Sequence, residues 1–438
     1  MKRKIAVLGL WHQGLVGAAC LADWGHDVVA ADADSEKINK LKNGVVPIFE
    51  PGLDDLLTKG VNAGNLRFTG NMIEAVAGCE FVMLMHDVPV DQHDISDLSV
   101  IYETVRNITP SLAENVVILV TAQIPVGTCE NILKNVKEIR PDLSVSIAYS
   151  PENLRLGVAI ERYRRPPLPL IGVENGAVFT ALTSLFGRSG VEWRRCDVRT
   201  AEMAKHALNG FLAMTITFGN ELGNLCDELG VDGHRLADLL KLEPRISSQA
   251  MLYPGLGFSG GTLARDVQTL RAFGKSYGLE IPLLDGLWLS NHSQKQIVIR
   301  KLKKYFDGDL SGRKICVLGL TYKPNTSTLR RSAALELISD LETEGVEITA
   351  SDPRVDENEL TGYERFLFYR DPHDAIKNVD AIVIMTPWRE YLSLDFRTLK
   401  ELMGGDLLFD TANMLDAKRV TEVGLFHLAI GDGKVLDR

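Results

Sequence analysis

Between residues 5 and 171 the chain alternates short apolar runs with longer amphipathic stretches. The runs at 5–8, 28–31, 81–84, 116–120, 145–148 and 168–171 are rich in β-branched residues and separated by helix-length segments. Strands buried on both faces read as such unbroken apolar runs, so the pattern predicts a parallel sheet covered by helices on each side. From residue 200 to 229 no proline intervenes. Met203, Ala207, Phe211, Met214, Phe218, Leu222 and Leu225 recur there at three- and four-residue steps. That spacing predicts one long helix, about 45 Å at 1.5 Å per residue, suited to bridging domains or pairing subunits. Helical pattern follows at 233–240 and 284–305.

The strand–helix alternation then restarts. Lys314-Ile-Cys-Val-Leu-Gly-Leu repeats the opening Lys4-Ile-Ala-Val-Leu-Gly-Leu nearly letter for letter, and each copy leads to a strand ending in an aspartate, Asp32 or Asp352. Strand candidates continue at Val383 and Leu408. The expected fold is α/β: two doubly wound, Rossmann-like domains at 1–198 and 309–438, joined by a helical middle at 199–308.

Composition narrows the function classes. The 438 residues carry 48 Lys+Arg against 58 Asp+Glu, a net charge of −10. This acidic balance argues against nucleic acid or an anionic membrane as partner. The six cysteines are scattered without a CxxC pair, which fits neither a zinc framework nor a disulfide scaffold and points to the reducing cytoplasm. The basic start and apolar run before Cys20 imitate a leader, but Trp11, His12 and Gln13 interrupt it. No later run approaches the ~18 apolar residues of a membrane span. His86, Asp87, Asp91, His93 and Asp94 crowd one stretch; they read as a solvated loop, and no metal is assigned.

Strand, Gly9-Leu-Trp-His-Gln-Gly14, helix, then Asp32 is the context of a dinucleotide-binding turn. Gly9 would permit the tight turn and Gly14 the close helix–strand packing, with a pyrophosphate at the helix N-terminus. Asp32 would accept from a ribose and repel a 2′-phosphate, which selects NAD over NADP. Trp11 occupies the usual middle glycine. The second turn carries Tyr322, Lys323, Arg330 and Arg331 instead, and its three cations suit diphosphate oxygens.

Further motifs include Pro47-Ile-Phe-Glu-Pro-Gly-Leu-Asp-Asp-Leu-Leu57, Asp97-Leu-Ser99, Pro125-Val-Gly-Thr128 and Ser150-Pro-Glu-Asn-Leu-Arg-Leu-Gly157. Lys205-His-Ala-Leu-Asn209, Pro244-Arg-Ile246, Gly257-Phe-Ser-Gly-Gly261 with Asp266, Lys323-Pro-Asn-Thr326, Thr386-Pro-Trp388 and Asp410 complete the series. In this order they resemble the UDP-glucose/GDP-mannose 6-dehydrogenases over nearly the whole chain. The resemblance implies oxidation of a nucleotide sugar, a UDP-hexose on this reading, at C6 from alcohol to acid with two NAD. It implies a homodimer through the central helix and a C-terminal domain holding the nucleotide of the substrate. It assigns Glu152 to acid/base work, Lys205 and Asn209 to oxyanion stabilisation, and Asp266 to an ordered water. Cofactor contacts fall on Gly9, Trp11, Gly14, Asp32, Lys37, Gln123, Pro125 and Arg330. Substrate contacts fall on Arg155, Arg245, Tyr253, Gly257, Tyr322 and Lys323.

One position breaks the pattern decisively. Thr262 stands where the family places the cysteine that captures the aldehyde as a thiohemiacetal. A thiol ionises near pH 8.5, whereas an aliphatic hydroxyl is a weak nucleophile without a base, so the change should spare the first hydride transfer more than the second. Arg265 replaces a lysine, Gln123 a threonine, Leu156 a glutamate, Arg331 a glutamate and Ala412 an arginine, and residues 86–89 replace a Val-Pro-Thr-Pro loop. Scaffold positions persist while reactive ones change. Two readings follow: a dehydrogenase with altered chemistry that stops at the aldehyde or reaches the acid by direct hydration, or a catalytically inactive NAD- or nucleotide-sugar-binding regulator.

Overall fold

The computed structural model describes residues 2–91, 95–152, 154–187, 189–259, 262–329, 332–362 and 365–434. The chain divides into two compact units, Met1–Leu208 and Asn209–Arg438.

The first unit is built on eight strands: β1 (Lys4–Leu8), β2 (Asp27–Ala31), β3 (Leu66–Thr69), β4 (Phe81–Leu84), β5 (Val116–Val120), β6 (Val145–Tyr149), β7 (Leu170–Gly172) and β8 (Arg194–Cys196), in the order β3-β2-β1-β4-β5-β6-β7-β8. Successive side chains of β1 serve opposite layers. Ile5 and Val7 enter one core and Ala6 and Leu8 the other, which is why the strand is apolar throughout after its exposed first residue, Lys4. The expected sheet is present with two differences. The run at 168–171 starts later, and β7 pairs with β6 antiparallel through Tyr149 and Gly172. β3 and β8 escape the apolar reading because they carry exposed arginines.

The second unit repeats the theme with β9 (Lys314–Leu318), β10 (Glu347–Ser351), β11 (Leu367–Phe368), β12 (Ala381–Ile384), β13 (Leu407–Asp410) and β14 (Phe426–Ala429), ordered β11-β10-β9-β12-β13-β14 and parallel throughout. Again Ile315 and Val317 face one core, Cys316 and Leu318 the other. Asp32 and Asp352 sit just beyond their strands rather than within them.

The long helix spans Val198–Leu229, 32 residues, and the division between the units falls inside it. Its burial inverts the usual rule for a surface helix. Glu202, Lys205, His206, Asn209, Asn220 and Asp227 are buried, whereas the apolar stripe read from the sequence is largely exposed at Met203, Phe211, Phe218 and Leu225. The pattern at 284–305 resolves into two helices, Pro282–Lys295 and Ile297–Tyr305, turning at Gln296. A helix at Leu263–Ser276 is additional. Its inner face mixes Ala264 and Val267 with buried Arg265 and Asp266, so it gives no clean apolar period. Among the described residues no helix is long and apolar enough to cross a membrane.

Candidate active site

The turn after β1 is built as a dinucleotide site requires. Gly9 adopts φ +91°, and a Cβ there would lie 2.8 Å from the His86 backbone. A Cβ on Gly14 would overlap the Gly9 carbonyl oxygen, so both glycines are needed for this helix to pack on this strand. Trp11 is under no such constraint. It occupies the N-cap position of the helix His12–Asp23 at φ −104°, a conformation open to any residue, and is 43% exposed. Asp32 accepts from Leu10 N at 2.7 Å, Asp34 N at 3.0 Å and Lys37 Nζ at 2.9 Å. Burial alone would raise its pKa, but the bonds from Asp34, Lys37 and Leu10 outweigh it and hold the carboxylate ionised below its ordinary range. An ionised, half-exposed acceptor next to an open helix N-terminus fits the adenosine ribose and pyrophosphate of NAD. Arg330 lies outside the described residues.

The loops leaving β5 and β6 are tied to the long helix. Lys205, 5% exposed, donates from Nζ to the Glu152 carbonyl. The Glu152 carboxylate turns back onto Leu154 N of its own loop. Pro125 and Gln123 lie half-buried in the β5 exit segment. Sequence reading passed over several residues that hold these loops. Gln13 donates to Thr121 Oγ1 at 2.7 Å. Glu50, almost fully buried, accepts from Gly157 N and Ala159 N at 2.9 and 2.8 Å and pairs with His12 at 3.0 Å. Polar residues recurring at 202, 205, 206 and 209 in an otherwise apolar helix were the available signal.

In the second unit Asn209 donates from Nδ2 to Asp266 Oδ2, both groups buried. Asp266 N in turn bonds to the Thr262 carbonyl at 3.2 Å, opening the helix Leu263–Ser276. In the described residues 255–259 no strand pairing is present, and carboxamides bond to the backbone of Gly255 and Phe258. Asn291 accepts from Phe258 N at 2.8 Å and donates to Phe258 O at 3.0 Å. Asn220 accepts from Gly255 N at 2.9 Å, and Gln294 donates to Gly255 O at 2.8 Å. A Cβ on Gly257 would approach the Asn291 carbonyl to 2.9 Å. Thr262 itself is exposed at the N-cap, and its hydroxyl makes no capping bond.

No cysteine is poised to replace it. All six thiols are free. Burial pushes Cys20 and Cys316 up to about 12 and Cys79 to about 11. Cys196 and Cys226 are also raised by burial. Cys129, adjoining the Pro125 loop, is fully buried and raised well above the ordinary thiol range by burial and by Glu202. Such thiols are poor nucleophiles. His86 is likewise internal, its Nε2 3.2 Å from Thr104 Oγ1, and burial drops its pKa to about 4. His93 and Asp94 lie outside the described residues. Among the described residues no three His, Cys, Asp or Glu side chains group to hold a metal.

The internal repeat diverges where chemistry begins. Leu320 N donates to Asp352 Oδ2 at 2.7 Å, as Leu10 N does to Asp32. Asp352, however, is fully buried. Its oxygens also accept from Thr321 N and Oγ1, Arg354 N, Val355 N and Trp388 Nε1, leaving nothing for a ribose. Where the first copy enters a helix at His12, the second runs through a loop bearing Tyr322, 41% exposed, and half-buried Lys323 before Ala333 starts the next helix. Among the other substrate candidates, Arg155 and Arg245 are exposed, and Arg245 pairs with Glu243 at 2.8 Å. Tyr253 donates to Asp238 at 2.5 Å, and Lys241 lies 3.6 Å over its ring.

Comparison with known proteins agrees along the chain. Models of the UDP-glucose/GDP-mannose dehydrogenase family match as NAD binding domain at residues 3–189, central domain at 199–293 and UDP binding domain at 316–417. The UDP-glucose 6-dehydrogenase of Rhizobium meliloti (strain 1021) is 36% identical over 436 residues, covering 98% of this chain and 99% of that protein. The structure of a UDP-glucose dehydrogenase from Pyrobaculum islandicum superposes with a TM-score of 0.89 at 28% identity, covering 98% of this chain and 97% of the other. That of the UDP-D-ManNAc dehydrogenase from Pyrococcus horikoshii gives 0.86 at 25% identity, over 98% and 100%. The chain belongs to the UDP-glucose/GDP-mannose dehydrogenase family, with an NAD-binding first domain and a UDP-binding last one.

Proposed function

We propose that the protein is a cytoplasmic NAD-dependent dehydrogenase that oxidises C6 of a UDP-hexose and releases mainly the aldehyde or its hydrate. The buried ammonium of Lys205 carries this reading, set one helical turn before Asn209, whose amide holds the buried Asp266. When bound, NAD supplies the hydride acceptor. Asp32, Lys37, Gln123 and Pro125 would hold it in the first domain. Lys205 and Asn209 stabilise the alkoxide as the C6 hydroxyl loses its proton, and Glu152 takes that proton. Thr262 leaves the aldehyde untrapped, because a neutral hydroxyl neither adds readily nor makes a thioester. In the slower branch Asp266 and Glu152 orient water onto the aldehyde, and the hydrate is oxidised to the acid. Tyr322 and Lys323, with Arg155, Arg245, Tyr253 and Gly257, would receive the nucleotide sugar.

The regulator reading rests on Trp11 and Thr262. The unstrained backbone at Trp11 supports the enzyme reading. Counting NADH formed per UDP-glucose consumed tests the proposal. About one NADH per sugar is expected; two would mean that hydration completes the acid, and none with NAD bound would favour the regulator.

We also propose a homodimer through the long helix. Phe211, Phe218 and Leu225, 60%, 51% and 57% exposed, form a stripe at seven-residue steps with Leu229 at its end. Apolar surface of this kind is normally covered. Phe218→Arg should convert the dimer to a monomer in light scattering; an unchanged mass would place the interface elsewhere.

A further inference from the structure

Glu202 is fully buried, contacts no solvent, and belongs to none of the groups assigned to chemistry. Its carboxylate accepts from Gly127 N at 2.6 Å and Cys129 N at 2.9 Å. These amides begin the helix Thr128–Ile139, whose first turn has unpaired N–H groups. The N-cap is Gly127, at φ +91°, with no side chain to cap its own helix. The cap therefore comes from a residue 75 positions away, and an anion at a helix N-terminus is also favoured by the helix dipole.

The adjoining residues hold carbonyls of the same loops. His206 Nε2 lies 2.9 Å from the Ile124 carbonyl, and Lys205 reaches the Glu152 carbonyl. With Gln13 on Thr121, the exit segment of β5 is pinned at Thr121, Ile124, Gly127 and Cys129. Gln123 and Pro125 lie between those pins. One turn of the long helix thus holds the cofactor-side loop and the carbonyl beside Glu152 in fixed register with Lys205.

We propose that Glu202 is a positioning residue for the nicotinamide end of the NAD site, acting through the Gln123–Pro125 loop; this rests on the dehydrogenase reading. Two acceptor oxygens are essential to the role. Glu202→Gln keeps the shape but turns an NH2 toward one of the two N–H donors, freeing one end of the loop. Asp at 202 keeps the charge and loses the reach.

The test measures NADH and UDP-glucose affinity separately by fluorescence titration and calorimetry, alongside melting temperature. Glu202→Gln should weaken NADH binding about tenfold while UDP-glucose binding changes less than about twofold, with Glu202→Asp intermediate. His206→Gln, which disturbs the Ile124 pin and leaves the Glu202 cap in place, should weaken NADH about threefold and keeps the test open should Glu202→Gln fail to fold. A lowered melting temperature with both affinities unchanged, or equal loss of both ligands, would overturn the proposal. Failure of the wild-type chain to bind NADH would instead overturn the dehydrogenase reading.

Discussion

Lys205→Ala should lower kcat by about 10²–10³-fold, the usual loss when a preorganised donor to a developing oxyanion is removed. The fold should survive. Position 205 is inside the continuous helix Val198–Leu229, where alanine is the best helix former, and the neighbouring Glu202 cap and His206 loop contact remain. The structural loss includes the ammonium hydrogen bond to the Glu152 carbonyl, about 1.5–3 kcal/mol. Activity and stability therefore separate, which a purely structural lysine would not allow. Steady-state kinetics and thermal melting decide the matter together: wild-type turnover in this variant would remove Lys205 from the chemistry, and collapse of the melting transition would make it a packing residue.

Much of this arrangement is written in local pattern, and the rest is not for identifiable reasons. The strands around Gly9 and Gly319 are legible because residues buried on both faces must all be apolar. The repeat is legible because both copies use the same turn, with Leu10 and Leu320 bonded to Asp32 and Asp352. Their divergence is hidden: only the fold shows Trp388 and Thr321 closing over Asp352 while Asp32 stays half-exposed. The long helix is legible as a helix suited to bridging domains or pairing subunits, but the work of its other face is not. Periodicity reports a stripe of Met203, Phe211 and Phe218 and says nothing of the polar residues between them. Here the inner face is polar because it must satisfy loop backbone, and the apolar stripe is left outside. Glu50 and Glu202 are missed for a related reason. Each satisfies amides far away in sequence, and no spacing rule connects residue 202 to residue 127.

Thr262→Cys should raise the yield from about one NADH per sugar toward two. The substitution is structurally mild: Thr262 is exposed, sits at the N-cap of Leu263–Ser276, and contributes no side-chain cap to lose. That same location is chemically favourable to sulfur, since a helix N-terminus lowers a thiol pKa and stabilises the thiolate. A hydroxyl gains too little from the same field to ionise near neutrality. The new thiolate would add to the aldehyde before it departs, and the thiohemiacetal would yield the second hydride and then a thioester for water to cleave. The native cysteines offer no competing route, because burial raises every one of them. Product ratio and rate then give independent information. A count that rises while the first turnover is unchanged assigns the block to the missing sulfur. An unchanged count in a variant whose thiol labels readily would show that loss of the nucleophile is not what limits the second oxidation, and would shift attention to Leu156 and Gln123, where the same loops have also exchanged their reactive groups.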